Sequence, residues 1–247
     1  MKTIDILIER SQSKVMLMRN HPIQYALRGI MAGVYISLGA LFMLVVKNDQ
    51  SLSPAISALL SGLVFSIGLI FVIVCEGELF TGNCLMIVGA LDKKISWRDL
   101  WYLLQYSLAF NLIGCLSVSW LAMTSGIDID FFKSIMKARA IDTPLLNTFA
   151  KAIFCNILVC LAVWASAGES CKSQNPILIV MPVAMFVACG FEHSIADIFM
   201  VCCYNENTIP VATGLIFLLV VIAGNILGGF MLGLIFKNSY KERSKNV

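Results

Sequence analysis

The residues best suited to chemistry fall in two short polar segments, each of which interrupts a long apolar run. Their ionisable and hydroxyl side chains are, in chain order, Glu76, Glu78, Thr81, Glu192, His193 and Asp197. Carboxylates, an imidazole and a hydroxyl can exchange protons and hydrogen-bond a small polar solute. The spacing of Glu192, His193 and Asp197 does not place three ligands on one helical face, so we expect no metal ion there.

The composition indicates that lipid surrounds these segments. Hydrophobic residues make up 59% of the 247 and charged residues only 13%, with a mean hydropathy of +0.85, whereas soluble domains carry about a quarter charged residues. The net charge of +3 is spread over loops and chain ends, which argues against a nucleic-acid partner. The nine cysteines lack Cys-x-x-Cys spacing and lie mostly in apolar runs, where cysteine acts as a small hydrophobe.

Seven uncharged runs predict an all-α membrane protein with six transmembrane helices. The runs are 29–46, 54–75, 79–91, 100–127, 152–168, 173–191 and 207–236. A spanning helix needs about 20 apolar residues, which most of these runs provide. Residues 54–91 as a single helix would be about 57 Å long, nearly twice the thickness of the hydrocarbon core. Spans two and five are therefore predicted to be broken at the two polar segments.

Charge and hydropathy divide the chain into three parts. Residues 1–25 predict an amphipathic helix at the membrane interface, 26–236 the transmembrane domain and 237–247 a basic tail. With both termini on one side, that side holds 13 of the 18 lysines and arginines, so the positive-inside rule places both termini in the cytoplasm of a cell-membrane protein. Residues 124–147 are then the only substantial external loop.

The two halves of the transmembrane domain, about 26–127 and 147–236, repeat each other. In each half, a glutamate of the polar segment is followed, at the same interval along the chain, by an Asn-apolar-apolar-Gly motif: Glu78 by Asn111, and Glu192 by Asn225. Three spans per half give the two halves opposite orientations. An inverted repeat with a discontinuous helix in each half is typical of a solute path near the membrane midplane.

The two breaks need stabilisation, because irregular backbone at membrane depth persists only where protein buries it or where it lines a cavity. The N–H groups at the start of each following half-helix form a positive end that attracts anions. We expect Thr81 and His193 to face each other where the breaks meet. We also expect the carboxylates of Glu78 and Asp197 to accept the loose N–H groups of the loops and hold the breaks open.

Five motifs resemble those of the formate–nitrite transporter family. They are Glu78-Leu-Phe-Thr-Gly, residues 155–164 (Cys-Asn-Ile-Leu-Val-Cys-Leu-Ala-Val-Trp), 181–188 (Met-Pro-Val-Ala-Met-Phe-Val-Ala), 190–197 (Gly-Phe-Glu-His-Ser-Ile-Ala-Asp) and 224–229 (Gly-Asn-Ile-Leu-Gly-Gly). The resemblance runs from about residue 20 to residue 236. It implies an aquaporin-like six-helix fold, assembly as a homopentamer, and conduction of small monovalent anions such as formate, nitrite and hydrosulfide.

The resemblance also implies roles for individual residues. Thr81 and His193 correspond to the central pair of the path, and polar residues that line the path nearby correspond to Asn156, Asn225 and Glu192. The hydrophobic constrictions of the path correspond to Leu69, Phe80, Val159, Phe186 and Phe65.

The outer mouth departs from the family pattern. The family carries a lysine on the external side, upstream of the asparagine of the Cys-Asn motif, where it attracts the anion. Counting back from Asn156 to that position leads to Ala140 in this chain. The adjacent Arg139 and Lys137 are the candidates to replace the lysine.

We therefore expect passive or proton-linked passage of a small weak-acid anion, without a cofactor. A bare anion crosses a hydrophobic constriction only at high cost, so His193 would hydrogen-bond the anion or lend it a proton. One alternative is an aquaporin-like pore for neutral solutes, although neither break contains Asn-Pro-Ala. Another is an intramembrane enzyme using His193 and Asp197, which lacks a Gly-x-Ser-x-Gly or His-Glu-x-x-His motif.

Overall fold

In the computed structural model, residues 2–127, 130–168, 176–203 and 209–241 are described, and every regular element within these ranges is helical. The α-helices are α1 (Thr3–Asn20), α2 (Pro22–Asn48), α3 (Pro54–Val74), α4 (Phe80–Asn83), α5 (Ile87–Leu91), α6 (Trp97–Thr124), α7 (Asp130–Lys137), α8 (Leu145–Ala167), α9 (Ile177–Ala188), α10 (Ser194–Cys202) and α11 (Val211–Lys241). A 3₁₀ turn, Cys84–Met86, joins α4 to α5, and a π-helical turn, Ala138–Asp142, follows α7.

The predicted all-helical membrane fold is confirmed. Among the described residues, α2, α3, α6, α8 and α11 are long and apolar enough to cross a membrane. Two shorter apolar helical stretches, Phe80–Leu91 and Ile177–Ala188, lie next to the predicted breaks. Spans two and five are accordingly discontinuous, because α3 is separated from Phe80–Leu91 and α9 from α10 by short non-helical segments.

Local sequence signals fix where the long helices begin. Ser53 caps α3 by accepting a hydrogen bond from the N–H of Ile56, and Pro54 occupies the first helical position, where its missing N–H costs nothing. At the start of α6, the Ser96 and Asp99 side chains form a reciprocal capping box.

The long helices pack closely through small residues. Helix α2 packs against α3 and α6, and α11 packs against α8. A Cβ atom added at Gly33 of α2 would lie 2.2 Å from the carbonyl oxygen of Asn111, and one added at Gly228 of α11 would lie 2.3 Å from that of Ile153. Such close backbone approach is the usual device for joining helices in lipid, where no hydrophobic effect drives them together.

The amino-terminal helix, predicted to be amphipathic, has a face of buried apolar residues that contacts protein. The side chains of Ile4, Leu7 and Val15 are buried, and α1 packs against α5 and α2. Arg19 of α1 donates a 2.5 Å hydrogen bond to Asp99 at the start of α6. The end of the half-helix Phe80–Leu91 packs against α1 and covers part of its apolar face.

Contacts define two sides of the molecule. Lys237, near the end of α11, forms an ion pair with Asp92, which follows α5, and α5 packs against α1. We call this the α1 side. Helix α6 begins there, and near its other end Ser119 donates a 3.1 Å hydrogen bond to the Phe199 carbonyl of α10. Phe80–Leu91 therefore runs to the α1 side and α10 to the opposite side, as an inverted repeat requires.

The segment 124–147 and the carboxy-terminal tail contain more helix than the sequence predicted. Residues 124–147, predicted as a loop, contain α7 and the π-helical turn. The predicted basic tail is helical up to Lys241, whereas residues 242–247, including Arg243 and Lys245, lie outside the described residues, as does Lys172.

Candidate functional site

The two breaks share one backbone geometry. After α3, the Gly77 N–H donates to the Val72 carbonyl at 2.7 Å, and after α9 the Phe191 N–H donates to the Phe186 carbonyl at 3.0 Å. This pattern is a Schellman motif, in which the residue after the C-cap, here the second residue beyond the helix, adopts left-handed backbone. Equivalent residues of the two breaks lie 114 positions apart (77 to 191, 72 to 186), the same interval that separates Asn111 from Asn225.

An asparagine from the third span of each half holds the backbone of that half's break. The Asn111 Oδ1 accepts the Phe80 N–H at 2.9 Å, and its Nδ2 donates to the carbonyls of Gly29 at 2.7 Å and Glu78 at 2.9 Å. A single side-chain amide thus satisfies both a donor and an acceptor of the loop and ties them to α2.

Asn225 repeats this arrangement in the second half. Its Oδ1 accepts the Ser194 N–H at 2.9 Å, and its Nδ2 donates to the carbonyls of Ala152 at 2.8 Å and Glu192 at 3.0 Å. Both asparagines are fully buried. The two glutamate-to-asparagine intervals that are equal in the sequence therefore have a structural reason. In each half, the asparagine side chain binds the backbone carbonyl of the break glutamate.

This finding corrects the role expected for the carboxylates. The Glu78 side chain accepts hydrogen bonds from Lys14 Nζ at 2.7 Å and Asn83 Nδ2 at 3.1 Å, and none from a loop N–H. Asp197 accepts from Arg139 at 3.0 Å. A neutral amide can both donate and accept, whereas an ionised carboxylate only accepts, so asparagine suits a loop that has free groups of both kinds.

Thr81 and His193 meet where the two breaks approach each other. The Thr81 Oγ1 lies 3.1 Å from the His193 Nε2, and both side chains are buried. His193 also caps α10, because its Nδ1 accepts the Ala196 N–H at 3.2 Å. An Nδ1 that accepts leaves the proton of a neutral imidazole on Nε2, so the ring donates toward Thr81.

Two phenylalanines enclose the imidazole. The Phe186 ring stacks on His193 at a centroid distance of 5.8 Å and an interplanar angle of 12°, and the Phe65 ring lies edge-on at 6.2 Å. The two phenyl rings are themselves 5.5 Å apart in a T-shaped arrangement. Phe65 and Phe186 thus surround the polar pair with apolar surface on the side away from α1.

A cavity lies on the α1 side of this pair. Its volume is about 340 Å³, and its apolar wall includes Leu69, one of the predicted constriction residues. Charged residues from α1, α2 and the first break also line it, namely Arg10, Lys14, Arg28, Glu76 and Glu78. We call this the inner cavity.

A much smaller pocket lies on the opposite side of the pair. Its volume is about 10 Å³, and His193, Phe65, Phe186, Arg139 and Asp197 line it. The chain therefore has a wide charged cavity on one side of the Thr81–His193 pair and a narrow aromatic pocket on the other.

Other predicted residues are buried away from both spaces. Phe80 and Val159 are 1% exposed and do not line the inner cavity or the small pocket. Asn156 donates a 2.6 Å hydrogen bond to the Asn225 carbonyl. Asn156 and Asn225 were expected to line the path, and in the structure their amides bind backbone carbonyls.

The structure distinguishes the two candidates at the outer mouth. Arg139 Nη1 lies 3.0 Å from the Asp197 carboxylate and 3.3 Å from that of Glu192, and the arginine side chain is only 15% exposed. Lys137 is exposed on the last turn of α7, and Ala140 is buried. Arg139 therefore reaches the second break, because the π-helical turn directs it inward.

Lys14 and Arg28 had no assigned role in the sequence analysis. Each pairs with a glutamate of the first break, Lys14 with Glu78 and Arg28 with Glu76 at 2.9 Å. The amphipathic pattern of the amino-terminal helix is the only sequence signal for Lys14. As for metal ions, no cluster of three or more His, Cys, Asp or Glu side chains suited to one occurs within the described ranges.

These features define a multi-pass helical membrane protein built from two inverted halves whose broken helices meet at a polar pair. The chain belongs to the formate/nitrite transporter family, because the family model described as "Formate/nitrite transporter" matches residues 1–237.

Individual relatives agree with this assignment. The chain is 32% identical over 191 residues to "Formate channel FocA" of Escherichia coli (strain K12), a match that covers 73% of this chain and 66% of that one. It is 29% identical over 187 residues to "Nitrite transporter NirC" of the same strain, covering 73% and 68%. The matched region thus spans about two thirds of the length of these two relatives.

Solved structures share the fold. A chain described as "FNT family ion channel" superposes with a TM-score of 0.88 at 28% identity, covering 96% of this chain and 98% of that chain. A "Pentameric formate channel with formate bound" gives a TM-score of 0.71 at 26% identity, covering 90% and 97%.

Proposed function

We propose that this protein is a channel for small monovalent anions, of the class of formate, nitrite or hydrosulfide, and not an enzyme. The observation that carries the proposal is the contact between Thr81 and His193 where two broken helices meet, between a cationic cavity and an aromatic pocket. Support comes from relatives that are described as a formate channel and a nitrite transporter.

The central pair offers two donors to an anion. The Nε2 of His193 and the hydroxyl of Thr81 lie 3.1 Å apart, so an anion arriving there could replace their mutual hydrogen bond with a bond from each group. A second proton on the imidazole would have to enter at Nδ1, where it would meet the Ala196 N–H. We therefore propose that His193 stays neutral and acts as a hydrogen-bond donor.

The aromatic pocket determines the form in which the solute passes. An unpaired charge against the rings of Phe65 and Phe186 costs many kcal/mol, whereas a small neutral acid does not. We propose that the anion takes up a proton supplied by hydronium from the bulk solution and passes the rings as the neutral acid. Flux should then increase as the external solution becomes more acidic.

We also propose an orientation and an assembly. The excess of lysine and arginine on the α1 side supports a cytoplasmic location for that side and for both termini in the cell membrane. The similarity to a pentameric formate channel supports a homopentamer, with a path inside each subunit because both breaks that form the site belong to one chain. Native mass spectrometry in detergent would contradict the pentamer by detecting only monomers.

Proteoliposome uptake tests the function. Formate, nitrite and hydrosulfide are supplied separately, from about pH 5 to about pH 8, to the unsubstituted protein and to the His193→Phe variant. We expect anion uptake that rises at low pH and is lost in this variant. His21→Phe is the matched control, since His21 is exposed between α1 and α2. The proposal fails if no anion enters, or if His193→Phe leaves both rate and pH profile unchanged in a folded protein.

A further inference from the structure

One residue breaks the symmetry between the two Schellman turns. The left-handed position that follows α9 is Gly190, with φ of +65°, and its counterpart after α3 is Glu76, with φ of +53°. Left-handed backbone is unfavourable for a residue with a Cβ atom, and glycine avoids that cost. The first break thus carries a glutamate at a position where the same turn in the second break has glycine.

The Glu76 side chain faces the inner cavity. Its carboxylate lies 2.9 Å from Arg28 Nη1 and remains 72% exposed. Glu78, the other carboxylate of this cavity, is 3% exposed and bound by Lys14. Glu76 is therefore the acidic group that an anion entering from the α1 side would meet.

Three cations and two carboxylates surround this entrance. Arg10, Lys14 and Arg28 face Glu76 and Glu78 across the cavity. Burial lowers the pKa of Arg10, and the charge of Glu76 opposes this shift, so the Glu76 carboxylate is within electrostatic reach of Arg10 as well as Arg28. Without Glu76, the cavity would retain three cations and a single carboxylate.

We propose that Glu76 sets the affinity of the inner cavity for anions by partly neutralising Arg28 and Arg10. Conduction requires a site that is favourable enough to enter and weak enough to leave. A cavity with three cations and one carboxylate would hold anions longer, so the glutamate shortens their stay. This role explains why a side chain is kept on strained backbone. The inference rests on the proposed anion function.

Two substitutions separate charge from backbone strain. Glu76→Gln removes the charge and keeps the left-handed side chain, whereas Glu76→Gly removes both. Glu9→Gln is the matched control, because Glu9 is an exposed acid of α1 outside the inner cavity. Formate or nitrite flux is measured at low salt in vesicles that present the α1 side to the added anion.

We expect the half-saturating anion concentration to fall about threefold in both Glu76 variants, the effect of one unit charge about 7 Å away in a water-like dielectric. The maximal flux should fall as well, and the difference should shrink at high salt. Only Glu76→Gly should raise the melting temperature. The proposal is overturned if Glu76→Gln leaves half-saturation unchanged, or if Glu9→Gln shifts it equally.

A binding measurement in detergent keeps this inference separate from the proposed function. Formate or nitrite that binds the folded protein raises its melting temperature by an amount that grows with the ratio of anion concentration to dissociation constant. In Glu76→Gln, we expect this increase in melting temperature at about threefold lower anion concentration, because the same unit charge is removed. If vesicles with the unsubstituted protein take up no anion but this shift persists, the proposed function fails and the role of Glu76 stands. If uptake occurs and neither measurement responds to the substitution, the role of Glu76 is refuted.

Discussion

Replacing Asn225 with leucine removes three hydrogen bonds at the second break and puts an apolar side chain of similar size in their place. The Ser194 N–H and the Glu192 carbonyl lose their partners, whereas the Ala152 carbonyl, which lies within α8, loses an additional bond but keeps its place in the helix. Hydrogen bonds between helices in a membrane average about 0.6 kcal/mol, which sets a lower limit of about 2 kcal/mol for three. Each buried group left without a partner costs about 1–3 kcal/mol. Because two buried groups are left without a partner, we expect a loss of about 2–6 kcal/mol in the free energy of unfolding.

Reversible unfolding in mixed detergents measures this loss, and the repeat supplies an internal standard. Asn111→Leu removes the same three kinds of bond, of 2.9, 2.7 and 2.9 Å, so the two substitutions should cost similar amounts. Asn147→Leu, at an exposed position early in α8, should cost little. Asn225→Asp keeps the acceptor for Ser194 but places a carboxylate against the carbonyl oxygens of Ala152 and Glu192, so it should cost at least as much as Asn225→Leu.

Either of two results would contradict the expected roles of Asn111 and Asn225. A loss below about 1 kcal/mol for Asn225→Leu would mean that the freed groups find other partners, as the unfolded reference state often does in membranes. A large loss at one asparagine and a negligible loss at the other would mean that the two breaks, despite equal geometry, are not held in the same way.

Three further predictions follow from single contacts. Arg139→Gln leaves two buried carboxylates without their cation, so it should lower stability and should lower flux at every anion concentration. Lys137→Gln should change only the flux measured at low salt. Unfolding and anion uptake of the two variants, measured side by side, test this difference. Gly228→Ala should destabilise the protein by at least about 1 kcal/mol, because its Cβ would overlap the backbone of α8, and thermal unfolding in detergent measures the effect. Lys14→Met should loosen α1 because the buried Glu78 carboxylate loses its cation, so proteolysis of α1 should be faster. Lys14→Arg, which keeps a cation there, should not show this effect.

The spans and their breaks were predictable because lipid imposes a severe rule on sequence. Charged side chains and unpaired backbone are so costly in hydrocarbon that an apolar run as long as 54–91, with polar groups in its middle, has few possible structures. The meeting of Thr81 and His193 also followed from sequence, because two breaks related by an inverted repeat must approach each other near the midplane. Both predictions depend on patterns that each half carries in its own sequence.

The ion pairs were not predictable in the same way. Lys14 reaches Glu78 only because α1 packs against the end of the first half-helix, and no local pattern states where an amphipathic helix will dock. Counting along the chain pointed to Ala140 at the outer mouth, but a π-helical turn, in which each hydrogen bond spans one residue more than in an α-helix, presents Arg139 to the second break instead. Such a turn has no clear sequence signature.

The use of asparagine rather than carboxylate at the breaks fits the proposed anion path. Carboxylates that capped the loops, as the sequence suggested, would place negative charge beside the Thr81–His193 pair and repel the solute. The amides of Asn111 and Asn225 satisfy the same backbone groups with no net charge. The break carboxylates Glu78 and Glu192 are then each paired with a cation from the amphipathic segment that precedes their half, Lys14 on the α1 side and Arg139 on the other. Because the repeat is inverted, these two ion pairs lie on opposite sides of the Thr81–His193 pair, so each break glutamate is neutralised on its own side.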